Sequence, residues 1–161
     1  MNKIENKEAK YNLLLKQIKN IIHKEPNFVA NLCNILSLLK QSFNFFWVGA
    51  YFVEEKDLVL GPFQGPPACT RIPKGKGVCG KSWKEEVSYL VPDVNSFPGH
   101  ISCNPNSKSE IVVPVKTKEN KVFMVLDIDS DKLNDLDKID LFYLEKIATI
   151  LQEIYPKNAQ Y

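Results

Sequence analysis

Between Lys121 and Asp129 the chain alternates in a way that gives a strand two unlike faces. Successive side chains of a strand point to opposite sides. Val122, Met124, Leu126 and Ile128 form a continuous apolar face, and Phe123, Val125, Asp127 and Asp129 share the other. Such a strand needs an apolar layer on one side only. Glu110–Lys116 repeats the division across the turn Thr117–Asn120, with Ile111, Val113 and Val115 on one face and Glu110, Val112 and Pro114 on the other. In Phe45–Val53, Phe46, Val48, Ala50 and Phe52 fit the apolar layer, leaving Trp47, Gly49, Tyr51 and Val53 opposite. The turn Glu54–Lys56 leads to a partner strand at Asp57–Leu60, after which Gly61-Pro62 and Gly65-Pro66-Pro67 break regular structure.

Toward both ends the period becomes helical. Tyr11, Leu14, Leu15, Ile18, Ile21 and Ile22 predict an amphipathic helix ending before Pro26, within an N-terminal helical segment spanning 1–25. Phe28, Val29, Leu32, Cys33, Leu36, Leu39 and Phe43 predict a second helix to about Gln41. Gly75-Lys76-Gly77 opens a short helix carrying Cys79 and Trp83, and Tyr89–Val91 is a brief strand. From Asp137 to Tyr155, Ile139, Phe142, Tyr143, Ile147, Ile150, Leu151 and Ile154 mark an inward helical face. We expect one α+β domain over 1–161, with two layers: a mainly antiparallel sheet, terminal helices on one face, and a pocket on the other. Pro92–Lys108, rich in Asn, Ser, Pro and Gly, is a loop long enough to cover that pocket.

Charge argues against nucleic acid and membrane surfaces as partners. Lys+Arg 21 against Asp+Glu 19 leaves +2, and Arg71 is the sole arginine, although arginine is the residue that reads phosphate and guanine in bidentate fashion. The longest apolar run, Phe45–Val53, is about half of the ~20 residues that span a bilayer. The first ten residues carry mixed charges and no apolar signal core, so a soluble, cytoplasmic protein is expected. In a reducing compartment its four cysteines point to redox or metal chemistry rather than a disulfide framework.

Parity gathers Glu110, Asp127 and Asp129 at one end of the sheet face away from the helices, beside Trp47 and Tyr51. Each alone could be strand-end solvation or packing under a loop. Together they suit a small ligand with an ammonium and an apolar end. Cys33, on the apolar stripe of the second helix, reads as a small buried hydrophobe. Cys69, Cys79 and Cys103 lie in glycine- or proline-rich surroundings that packing does not explain. Zinc coordination by these three with His100 lacks the close cysteine pairs of structural sites, and a redox thiol with a second thiol brought near by folding suits the spacing better.

The segments Gly65–Gly80 (GPPACTRIPKGKGVCG), Asp93–Cys103 (DVNSFPGHISC), Ser109–Pro114 (SEIVVP) and Leu126–Ser130 (LDIDS) resemble the free methionine-(R)-sulfoxide reductases, a GAF-domain family. The similarity runs from about Phe28 to Tyr155 and implies a GAF-like α+β fold. It further implies reduction of free methionine-(R)-sulfoxide to methionine, with no bound cofactor and with reducing equivalents from thioredoxin and ultimately NADPH. On that resemblance Cys103 matches the catalytic cysteine, Cys69 the principal resolving one and Cys79 a third that joins disulfide exchange. Trp47, Tyr51, Glu110, Asp127 and Asp129 match the substrate pocket. Glu110 is the first candidate to protonate the sulfoxide oxygen and Asp129 the second. His100 is expected to shape the loop, and Arg71 to be exposed or structural. An apolar patch on the terminal helices would permit a homodimer. Two rivals are a non-catalytic GAF sensor for a small amine, which would not need the cysteines, and a zinc-stabilised interaction module.

Overall fold

The structure, a computed structural model, describes residues 3–156. Helix α1 (Lys3–Ile22) and helix α2 (Phe28–Phe43) meet at Pro26 and Asn27, whose side chain caps α2 by accepting from the Ala30 amide at 2.9 Å. Then follow β1 (Trp47–Glu54), β2 (Asp57–Gln64), β3 (Arg71–Pro73), α3 (Gly77–Glu85), β4 (Tyr89–Val91), β5 (Ser109–Lys116), β6 (Val122–Ser130) and α4 (Lys138–Ile154). The sheet is antiparallel throughout, in the order β3-β2-β1-β6-β5-β4. Helices α1, α2 and α4 cover one face, while α3 and the 92–108 loop lie on the other. No helix among the described residues is long and apolar enough to cross a membrane.

The helical face closes over an apolar core in which Tyr11, Leu14, Ile18, Leu32, Ile35, Leu36 and Leu39 meet Val48, Ala50, Ile111, Val113, Leu126, Ile128, Leu144, Ile147 and Leu151. Burying a side chain of this size contributes roughly 1.5–3 kcal/mol. One polar cluster seals its edge. Asp137 and Asp140 form a capping box at the start of α4, and Asp140, fully buried, accepts from the Tyr11 hydroxyl at 2.8 Å and from Lys7 at 2.5 Å. Lys7 docks the polar first turns of α1, which carry no apolar stripe, through its ion pairs to Asp137 and Asp140.

Several expectations are corrected here. Strand β2 continues through Gly61-Pro62 to Gln64. Its pairing with β1 slips between Gly49 and Tyr51, so Gly61 and Pro62 together oppose Ala50 at a bulge, beyond the short edge partner β3. A bulge needs no ladder hydrogen bond from proline. A second slip, between Val115 and Lys116, makes Phe123 an extra residue in β6. Phe123 therefore joins Met124 in the helical core, and Val122 packs on the opposite side. Phe46, which precedes β1, also packs with the pocket side. Cys33 is exposed rather than buried, because it sits about 100° past Leu32 on α2 and Asn31 takes the stripe position instead. Phe142 is likewise 52% exposed, with Leu144 and Ala148 completing the inward face of α4.

Candidate active site

Register sets out the site in rows. Trp47 on β1 pairs with Asp129 on β6, which pairs with Glu110 on β5. The next row on that face is Gly49, Asp127 and Val112, and the next is Tyr51, Val125 and Pro114. Directly opposed side chains lie roughly 4.5–5.5 Å apart at Cβ, so three acids share a patch two rows deep. Helix α3 covers it with Cys79, whose Sγ lies 3.8 Å from Glu110 Oε1.

Gly49 makes the aromatic wall possible. A Cβ there would fall 2.1 Å from Trp47 Cη2 and 2.7 Å from Phe63 Cβ, so only glycine lets the indole lie flat over β1. Trp47 stacks between Tyr51 and Phe63, with ring centroids 5.9 and 5.5 Å away. Both polar tips reach one loop: Trp47 Nε1 donates to the Pro66 carbonyl at 3.1 Å, and the Tyr51 hydroxyl to the Cys69 carbonyl at 3.0 Å. The wall thus holds the backbone that carries Cys69, a role nothing in the sequence pattern signals.

Cys69 forms a disulfide with Cys103, tying that loop to the 92–108 segment. The segment is pinned by Gly77 N–H to the Gly99 carbonyl (3.2 Å) and Lys108 N–H to the Ser130 carbonyl (2.8 Å), and Ile101 packs over Gly77. Beneath the bridge is a cavity of about 40 Å³, lined by Trp47, Tyr51, Cys79, Cys103, Glu110, Asp127 and Asp129, among others. All the residues expected at a pocket except Cys69 line it, and Cys69 is bonded to one that does. Arg71 stands apart, exposed and paired with Glu54 at 3.1 Å and Asp57 at 3.6 Å. His100 does line the cavity, with its Nδ1 buried and unpartnered, and burial lowers its pKa. Ser107 and Ile101 were not anticipated. They come from the aperiodic loop, where no pattern marks them; Ser107 hydrogen-bonds to Asp129.

Burial dominates the electrostatics. It raises the Glu110 carboxyl well above the usual range, reinforced by the charges of Asp127 and Asp129. Asp129 is raised by burial and by Asp127, partly offset by the Ser107 hydrogen bond. Burial pushes Asp127 up to about 7 against hydrogen bonds from Cys79 and Glu110. The Cys79 thiol is raised by burial and then by Asp127 and Glu110, which keeps it protonated. Asp127 Oδ1 is buried without a hydrogen-bond partner. Among the described residues no lysine or arginine lines the cavity, so burial and mutual repulsion keep the patch protonated.

No protein-family model matches the sequence. Individual relatives do. GAF domain-containing protein A of Dictyostelium discoideum is 55% identical over 146 residues, 90% of this chain and 92% of that protein. The free methionine-R-sulfoxide reductase of Saccharomyces cerevisiae is 39% identical over 156 residues, 92% of this chain and 87% of that protein. The X-ray structure of the free methionine-R-sulfoxide reductase from Neisseria meningitidis in complex with its substrate superposes with TM-score 0.89 at 45% identity, covering 92% of this chain and 89% of that one. Similarity of this depth across nearly the whole of each chain places the protein, with its GAF-like α+β fold, in the free methionine-R-sulfoxide reductase family of enzymes.

Proposed function

We propose that this chain reduces free L-methionine-(R)-sulfoxide to methionine, with Cys103 as nucleophile, Cys69 as resolving thiol and thioredoxin as reductant. The observation that carries the reading is a redox-capable cysteine pair bridging the mouth of a cavity floored by three buried carboxyls.

The chemistry follows from those groups. The reduced Cys103 thiolate attacks the sulfoxide sulfur and forms an S–S bond to it; the protonated oxygen then passes to Cys103 as the S–O and S–S bonds break, leaving a sulfenic acid while methionine departs with the electron pair of the S–S bond. A proton must reach that oxygen. Glu110, held protonated by burial and by its acidic neighbours, is the first donor, and Asp129 the second. Cys69 then condenses with the sulfenic acid, releasing water and forming the disulfide. A dithiol such as thioredoxin exchanges with it and is itself oxidised. Cys79 serves as a further exchange partner.

The acids also select the substrate. An α-ammonium placed over Asp127 and its neighbours supplies the missing cation and stabilises their ionised forms, as the pocket closes around it. A methionine within a peptide has no such group. A buried water needs ~10–15 Å³ of cavity space, so the bridged pocket, at about 40 Å³, holds only a few. The amino acid therefore enters after the disulfide is reduced and the 92–108 loop moves out.

A thioredoxin-coupled NADPH assay with both epimers, free and within a peptide, tests the proposal. Turnover is expected for the free R epimer alone. Cys103→Ser should be inactive, and Cys69→Ser should release about one methionine per chain without recycling. Absence of turnover with the free R epimer would overturn it.

A further inference from the structure

Three side chains from three different elements bring ligand atoms together beneath the disulfide. Cys79 Sγ from α3 and carboxylate oxygens of Glu110 (β5) and Asp127 (β6) all lie within 4.8 Å of one another, and all three residues are buried. The bridge consumes Cys69 and Cys103 and leaves Cys79 a free thiol. In a tetrahedral zinc site with Zn–S ≈ 2.3 Å and Zn–O ≈ 2.1 Å, sulfur and oxygen ligands stand about 3.6 Å apart. The Cys79–Glu110 separation of 3.8 Å is within a few tenths of an ångström of that. A second, independent sign is the Asp127 Oδ1 atom: the residue is 6% exposed, lines the cavity, and leaves this oxygen without any partner.

We propose that Cys79, Glu110 and Asp127, none of them engaged by the disulfide, form a three-ligand site for a zinc-type divalent cation, its fourth position open to the cavity. The ligand set differs from the three-cysteine and histidine combination considered from sequence, two of whose cysteines are locked in the disulfide. A thiolate among the ligands favours zinc or cobalt over magnesium or calcium. Three protein ligands and one open position set the site apart from structural zinc sites, which close all four positions with protein. The metal displaces the protons that the thiol and carboxyls carry, so affinity rises with pH. A cation here also occupies the place of the substrate ammonium. That competition rests on the reductase reading; the metal site does not.

Titration with cobalt(II) chloride in the absence of reductant tests the site, using oxidised protein carrying Cys33→Ser to remove the exposed thiol. One equivalent should bind with a thiolate-to-cobalt charge-transfer band, and zinc should displace it. Adding Cys79→Ser should abolish the band and weaken binding at least tenfold; adding Asp127→Asn should weaken it at least tenfold, with near-ultraviolet circular dichroism confirming the fold. Absence of the band, its survival in the Cys79→Ser protein, or unchanged affinity in the Asp127→Asn protein would overturn the site. In the NADPH-coupled assay zinc should raise KM for the sulfoxide and leave kcat unchanged; a fall in kcat alone would remove the competition. No turnover even without zinc would defeat the reductase reading, and the cobalt titration would still decide the metal site.

Discussion

Leu126 and Asp127 are neighbours in β6, both nearly inaccessible to water, and they meet opposite environments. Leu126 faces a layer of aliphatic and aromatic side chains from α1, α2 and α4, where burial itself is the stabilising force. Asp127 faces two other acids and a thiol, where the same burial is opposed by desolvation of every group. One face of the sheet is built for stability. The other holds a proton-loaded patch that gains from meeting a cation, as expected where function departs from good packing.

Substituting the two neighbours should separate these roles. Asp127→Asn keeps the shape and removes the charge that would meet the ammonium. Loss of a buried charge partner costs about 2–5 kcal/mol, so kcat/KM for the free sulfoxide should fall on the order of 100-fold, mostly through KM. Leu126→Ala leaves a cavity in the helical core and should cost ~2–5 kcal/mol in urea denaturation, with kcat/KM per folded molecule little changed. If Leu126→Ala cripples turnover in the folded protein, or Asp127→Asn leaves it intact, the division between the faces is wrong.

A third comparison uses pH. A carboxyl whose folded pKa lies above its unfolded value binds more protons in the native state, so stability falls as pH rises between the two. For Asp127 the window runs from 3.8 to about 7, and Glu110 and Asp129 are raised as well. Urea midpoints of the disulfide-intact protein should therefore drop between about pH 4 and about pH 8, by on the order of a few kcal/mol in free energy. Asp127→Asn should flatten the slope, since it removes one titrating group and lowers the repulsion on two more. A slope equal to that of the unmodified chain would show that the acids do not titrate together.

Much of this contrast was legible in the chain. Alternation in β1, β5 and β6 placed Trp47, Tyr51, Glu110, Asp127 and Asp129 on one face because side-chain direction is fixed by strand geometry alone. Parity failed where pairing slipped: the bulge at Phe123 reversed Phe123 and Val122, and no glycine or proline there announces it. The extension of β2 was lost differently, because a Gly61-Pro62 pair marks a chain break as readily as a bulge and only the pairing with β1 decides between them. Distances between the cysteines, the tie from Tyr51 to the Cys69 carbonyl and the Ser107–Asp129 hydrogen bond depend on loop closure, which periodicity does not encode. Lys7 is the clearest omission: a polar residue on a polar helix turn gave no sign of the buried Asp140 it meets across 133 positions.

Cys33 and Cys79 give the smallest effect and the sharpest reversal. Both are thiols outside the disulfide, on helices packed against opposite faces of the sheet. The apolar periodicity of α2 placed Cys33 inside and left Cys79 unexplained by packing; folding puts Cys33 in solvent and Cys79 beneath the cavity. Reactivity of a thiol toward an aromatic disulfide reagent requires access and a thiolate. Cys33 has the access, whereas Cys79 is buried, with its pKa raised by burial and by Asp127 and Glu110. The oxidised native protein should therefore show one fast thiol, and a second only after denaturation. Cys33→Ser should remove the fast phase, change stability by no more than about 0.5 kcal/mol and leave turnover unaltered. A fast phase that persists in Cys33→Ser would mean that Cys79 is open to solvent, and the pocket face would then be a surface groove, with much weaker pKa shifts and a much smaller pH slope than the buried patch requires.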